Sequence, residues 1–133
     1  MPGVDEQVRA AILRSIEAAG KGDAEASHEI YAEDAVLEFP QSGERFVGKQ
    51  NFLEWRRIYP GEVEFVVRSL RGSGDLWVRE LSVRYDRGEW QYGVAILEFR
   101  DQLVVHETIY VTAGWPAPEW RARWRAASQD ALN

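Results

Sequence analysis

The sequence predicts an α+β domain in which helices cover one face of a curved antiparallel sheet. Three observations carry this. Apolar residues recur at helical spacing near the N-terminus, four runs rich in β-branched and aromatic residues fill the second half, and the turns between those runs are too short for crossover connections. The first helix places Val8, Ala11, Ile12, Ser15, Ile16 and Ala19 on one side, and Gly20 and Gly22 stop it. Asp23 can cap a second helix, with Glu25 in its first turn, running through Ile30 and Tyr31. Val36 to Phe39 reads as a strand ended by Pro40, and Gln41 to Gly48 as a loop. A third helix spans about Lys49 to Tyr59, with Phe52, Trp55 and Tyr59 on one side, and Pro60-Gly61 closes it. Four strands follow: Glu62 to Arg71, Leu76 to Tyr85, Trp90 to Phe99 and Leu103 to Thr112. Their turns contain Gly72-Ser73-Gly74-Asp75, Asp86-Arg87-Gly88 and Arg100-Asp101-Gln102, which demands antiparallel hairpins. After Pro116 and Pro118, Trp120 and Trp124 stand four apart in EWRARWRAA, the spacing of a closing terminal helix. With 133 residues and neither repeat nor linker, the chain reads as one domain, 1–133.

Composition narrows the function classes. A net charge of −6 argues against nucleic acid and anionic membranes, both of which call for a basic surface. The chain has no Cys, so disulfide and thiolate chemistry are excluded. Its two His residues, His28 and His106, are far apart in sequence, and no dinucleotide fingerprint is present, so neither a metal nor a cofactor is expected. RGSGD is glycine-rich but joins two strands and lacks the Lys-Ser/Thr of a phosphate loop. The N-terminus has no signal-like apolar run, and no stretch approaches the ~20 apolar residues of a membrane span, so a cytoplasmic protein is expected.

The order of elements resembles the nuclear transport factor 2-like superfamily, most closely its SnoaL-like branch. AAGKGDAEASHEIYAEDAVLEFP is similar to that family's opening, ILEFRDQLVVHETIYV to its final hairpin, and APEWRARW to a tail found in some SnoaL-like proteins. The resemblance implies a cone-shaped curved antiparallel sheet, with the N-terminal helices packed on its concave face and a pocket at the wide end. Members include ketosteroid isomerase-like, polyketide cyclase-like and epoxide hydrolase-like enzymes, and others that only bind or assemble, so the fold leaves the function open. The isomerase chemistry needs an Asp base, a Tyr and a protonated Asp. Those positions fall on Phe39, about Ser15 and about Ala95, which cannot perform it. For the cyclase branch the corresponding segment offers His106 and Glu107, and the Asp-Arg-Asp set of the hydrolase branch is not found.

Strand alternation then predicts the pocket. A two-residue turn at Arg87-Gly88 pairs Glu80 with Ala95 and Ser82 with Gly93; a three-residue turn at Arg100 to Gln102 pairs Ala95 with Glu107 and Leu97 with Val105. In that register Glu80 and Glu107 share one face on either side of Ala95, roughly 10 Å apart, and the resemblance implies that this face is the concave one. Glu107 is the leading catalytic candidate and Glu80 its partner, because carboxylates in an apolar cone can act as acid and base. Phe39, Trp55, Tyr59, Ala95, Leu97, Phe99 and Ile109 are the candidate ligand-binding residues. His106 falls on the convex face unless the register slips by one, which would turn it and Tyr110 inward; His28 is expected half exposed. Trp90, Tyr92, Val94 and Ile96, with Leu81, Val83 and Tyr85, form an apolar convex face suited to a homodimer. The expected protein binds a small, largely apolar, cyclic molecule and carries out cofactor-free acid/base chemistry on it. The alternative is a non-catalytic dimeric binding or assembly module whose cone is plugged by Phe39, Trp55 and Phe99.

Overall fold

A computed structural model describes residues 3–128. Three helices, α1 (Val4–Gly20), α2 (Ala24–Ser27) and α3 (Lys49–Arg57), accompany six strands: β1 (Tyr31–Phe39), β2 (Glu44–Val47), β3 (Val63–Ser73), β4 (Leu76–Tyr85), β5 (Gln91–Arg100) and β6 (Leu103–Thr112). They form one open sheet in the order β2-β1-β6-β5-β4-β3. Strands β3 to β6 make the expected antiparallel meander, and β6 returns alongside β1 in the sheet's one parallel pairing among the described residues. No described helix is long and apolar enough to cross a membrane.

Helix α1 buries Val8, Ile12 and Ser15 along one side, as its period predicts. Val8 and Ile12 meet Leu37, Phe52, Leu70, Trp77, Leu97, Phe99 and Val104 in the core. Burying each such large side chain contributes roughly 1.5–3 kcal/mol. Ser15 Oγ donates to the Ser27 carbonyl at 2.6 Å, fixing α2 against α1. Asp23 caps α2 through the Ala26 N–H, as expected, but α2 ends at Ser27. Tyr31, read as helical from sequence, instead opens β1, which is therefore longer than Val36 to Phe39. The predicted loop after Pro40 contains β2. Gly43, at φ +77°, lets its N–H reach the Phe39 carbonyl at 2.9 Å and turns the chain back into a hairpin. The tail forms a 3-10 helix, Glu119–Trp124, with no side-chain cap. Trp120 and Trp124 stay exposed, so it does not close over the domain as expected.

The register differs from the sequence-derived one in two ways. Between β4 and β5 the pairs are Arg79↔Ala95 and Leu81↔Gly93, one residue away from Glu80–Ala95 and Ser82–Gly93. Asp86 and Arg87 adopt φ of 50° and 58°, and the last β4–β5 pair is Val83↔Gln91, so the connection is longer than a two-residue turn. Its odd length reverses the faces of β4: Trp77, Arg79, Leu81 and Val83 are buried on the inner face, while Glu80 goes outside. Between β5 and β6 the turn is Asp101-Gln102, with φ of 51° and 63°, and a bulge follows between Glu98 and Phe99. The shorter turn and the bulge cancel in parity. Leu97 pairs with Glu107 and Ala95 with Ile109, so Glu107 keeps its inward orientation.

Candidate active site

A cavity of about 310 Å³ opens between the helices and the inner sheet face. Its walls are mostly apolar, from Ile16, Phe39, Trp55, Phe65, Leu81, Val83 and Ile109 among others, and the charged side chains among its lining are Arg56, Arg79 and Glu107. Its size sits at the lower end of small-molecule sites, roughly 300–1,000 Å³.

Glu107 is fully buried, at 0 % exposure. Tyr31, at the start of β1, donates its hydroxyl to Glu107 Oε1 at 2.5 Å. Arg79, only 7 % exposed, places Nη2 3.5 Å from Glu107 Oε2. Arg79 pairs with Ala95 and Glu107 with Leu97, so guanidinium and carboxylate meet diagonally across β5, where the small Ala95 side chain leaves them room. Burial first, and then the charge of Glu107, push the Tyr31 phenol well above its ordinary range, so Tyr31 remains a protonated donor. Each Glu107 oxygen retains a second acceptor site beyond these contacts.

A second layer lies behind Tyr31. Arg56, from the last turn of α3, sets Nη1 3.5 Å from the Tyr31 hydroxyl and 3.1 Å from His28 Nε2. His28 Nδ1 lies 2.7 Å from the Ala24 carbonyl, which makes Nδ1 the protonated nitrogen and leaves Nε2 to accept from Arg56. Burial, and then the Arg56 charge, lower the imidazole from 6.5 to about 4, so His28 is neutral at pH 7. Two buried donors of lining residues, Trp55 Nε1 and Arg79 Nε, have no hydrogen-bond partner among the described protein groups.

Of the residues singled out from sequence, Glu107, Phe39, Trp55, Tyr59, Ala95 and Ile109 line this cavity. Leu97 and Phe99 belong to the core instead. Glu80 does not reach the site: it lies on the convex face, where Arg71 Nη2 bonds it at 3.2 Å, because the β4 register puts its neighbour Arg79 inside. A carboxylate–guanidinium pair therefore stands where two carboxylates were expected. His106 lies on the convex face, between Glu98 at 2.5 Å and Glu38 at 2.9 Å. His28, expected half exposed, is 3 % exposed at the end of α2. Sequence reasoning missed the roles of Arg56 and Arg79. Both read locally as ordinary surface arginines, and only strand parity and the packing of α3 bring them in. Among the described residues no group of three His, Asp or Glu side chains could hold a metal ion.

The three positions tested for isomerase chemistry, Ser15, Phe39 and Ala95, all line the cavity, yet none supplies an acid or a base. Among the described residues Glu107 is the one carboxylate of the lining, which likewise leaves no Asp-Arg-Asp set. A search of curated proteins found no match. Among solved structures, the chain is 41 % identical to an NTF-2 like protein of unknown function from Burkholderia xenovorans, with TM-score 0.87 over 95 % of this chain and 99 % of that one. It is 26 % identical to a candidate ketosteroid isomerase from Kribbella flavida, with TM-score 0.85 over 97 % and 95 % of the two chains. A candidate polyketide cyclase from Streptomyces antibioticus shares the fold at 19 % identity and TM-score 0.67, covering 79 % of this chain and 91 % of its own. The family profile of the SnoaL-like domain matches residues 12–107, a span that includes Tyr31, Arg56, Arg79 and Glu107. The chain therefore belongs to the SnoaL-like family, and its cone-shaped α+β fold is that of the NTF2-like proteins.

Proposed function

We propose that this protein binds a small, largely apolar molecule in the cone and transfers a proton on it, with Glu107 as the proton acceptor. The observation that carries the reading is the cavity bordered by Glu107: the cone is open where a plugged one would suit a purely structural module. A C–H bond beside a carbonyl would give its proton to a free lone pair of Glu107. The electron pair moves onto the carbonyl oxygen as an enolate, and the Arg79 guanidinium offsets that charge. Reprotonation by Glu107 at a different carbon of the conjugated enolate, after its proton has exchanged with solvent through the open cavity, regenerates the carboxylate and yields an isomer. In a longer substrate the enolate carbon instead attacks a second carbonyl to close a ring, and the Glu107 proton passes to the new alkoxide. Tyr31 holds Glu107 in place and exchanges no proton itself, since its phenol is held above its ordinary range. The isomerase and cyclase descriptions of fold neighbours fit chemistry of this class.

The test uses deuterium oxide and a panel of cyclic ketones and lactones, with exchange at the carbon beside the carbonyl followed by proton NMR. The wild-type protein should accelerate exchange in at least one member, and Glu107→Gln should lower that rate by ~100-fold or more, as loss of a general base does. Equal exchange by Glu107→Gln rejects Glu107 as the acceptor. Binding of panel members without exchange would favour the non-catalytic module.

A further inference from the structure

Arg56 is the charged group that proton transfer at Glu107 leaves unused. Its guanidinium lies over the rings of Phe52 and Trp55, with Cζ 5.7 and 5.4 Å from their centroids. Its polar neighbours, the Tyr31 hydroxyl and His28 Nε2, are uncharged. Among the described residues no carboxylate pairs with it: Glu107 is engaged by Arg79, and the neighbouring Arg57 takes Glu25. Lys49 adds a further positive charge nearby, with Nζ 3.4 Å from the Tyr31 carbonyl. Asp86 reaches the Tyr59 hydroxyl at 3.3 Å, but it is exposed and already accepts the Glu62 N–H. The lining thus holds two guanidinium groups and one carboxylate, within largely apolar walls. Glu107 stabilises the Arg56 charge at a distance, but it is shared with Arg79, so the lining keeps one positive charge in excess that an anion entering the cavity would neutralise.

We infer that the ligand of this cavity is a monoanion, an apolar ring system bearing a carboxylate, and that Arg56 is the residue that selects it. The inference rests on the cavity being the binding site, and it deepens the proposed function by naming the substrate class. The carboxylate would take the fork of Arg56, a planar donor pair that a flexible ammonium cannot reproduce. The ring system would meet Phe39, Trp55 and Leu81, while the reacting carbon faces Glu107 and Arg79. Arg56 and Glu107 bear on the same Tyr31 hydroxyl, so a single small molecule can touch both groups.

The experiment compares naphthoate with naphthamide, near-isosteres that differ in charge, by calorimetric titration at pH 7.5. Wild-type protein should bind naphthoate at least ~10-fold more tightly, a typical contribution for a charge-assisted bidentate contact. Arg56→Gln should erase that preference while leaving naphthamide affinity unchanged. Arg56→Lys should keep part of the preference, and the circular dichroism of both variants should match the wild type, which guards against a folding defect in the glutamine variant. Equal affinities in the wild type, absence of binding by either probe, or a preference that survives Arg56→Gln would overturn the inference. The last outcome would make Arg56 simply a favourable charge at the C-terminal end of α3. Glu107→Gln should keep or strengthen the naphthoate preference. A failed deuterium-exchange test together with a preserved naphthoate preference therefore removes the catalytic reading and leaves the ligand class standing.

Discussion

His28 illustrates how a buried side chain records its surroundings in a measurable way. Its imidazole is held near 4 in the fold and would titrate near 6.5 in the unfolded chain. Above pH 6.5 both states are neutral there and the residue adds no pH dependence. As pH falls from 6.5 toward 4 the unfolded chain takes up a proton that the folded one refuses, so stability declines, by about 3 kcal/mol across the whole window. His28→Asn keeps a donor for the Ala24 carbonyl and removes the titration. Urea unfolding at pH 7.5 and 4.5 should show a larger loss of stability in the wild type than in the variant. Equal losses would mean that the imidazole is protonated in the fold and that the Arg56 contact is not a neutral acceptor.

At the scale of elements, the β5–β6 hairpin carries Glu107 into the cavity through two compensating irregularities. Its two-residue turn needs left-handed backbone at Asp101 and Gln102, a conformation that costs a non-glycine residue roughly 1–2 kcal/mol. Gln102→Gly should relieve part of that, offset by the greater freedom of glycine in the unfolded chain, for a net gain of about 0.5–1 kcal/mol. A rise of a few degrees in Tm is expected, with the exchange activity at Glu107 unchanged. A fall in Tm would show that the Gln102 side chain matters more than its backbone. The β4–β5 connection acts in the opposite sense. Its odd length puts Arg79 inside, and with it the ion pair that a carboxylate dyad would have replaced.

On the scale of the whole molecule, no helix among the described residues covers the convex sheet face. The outward register of β4 removes Leu81, Val83 and Tyr85 from the apolar patch and replaces them with a polar ladder: Arg84–Glu64, Arg68–Ser82 and Arg71–Glu80. What remains apolar centres on β5 and β6, where Tyr92 and Tyr110 are exposed and Val94 and Ile96 half-buried. Gly114 passes close to the Tyr92 ring, so the tail leaves the sheet beside this patch, with Trp115, Trp120 and Trp124 exposed. We propose that two copies pair through this narrower surface, since a twofold arrangement would cover it on both. Sedimentation velocity at micromolar concentration should show a dimer that Tyr92→Arg shifts toward monomer. A wild-type protein that stays monomeric rules the pairing out.

The α+β class and the helix-then-strand order were legible in the chain itself, from a 3.6-residue period in α1, β-branched and aromatic runs, and turn residues. The inward orientation of Glu107 was not: the expected three-residue turn is a two-residue one, and only the bulge after Glu98 restores the parity. The aromatic wall of Phe39, Trp55 and Tyr59 followed from the same patterns. Tertiary structure alone decided what Glu107 meets. The inner face of β4 is set by whether the Asp86–Trp90 connection is odd or even, and both faces of that strand mix apolar and polar residues, so its pattern does not choose between Glu80 and Arg79. Tyr31, Arg56 and His28 come together because α2 stops early and α3 packs across the start of β1, contacts between segments far apart in sequence that no local period encodes.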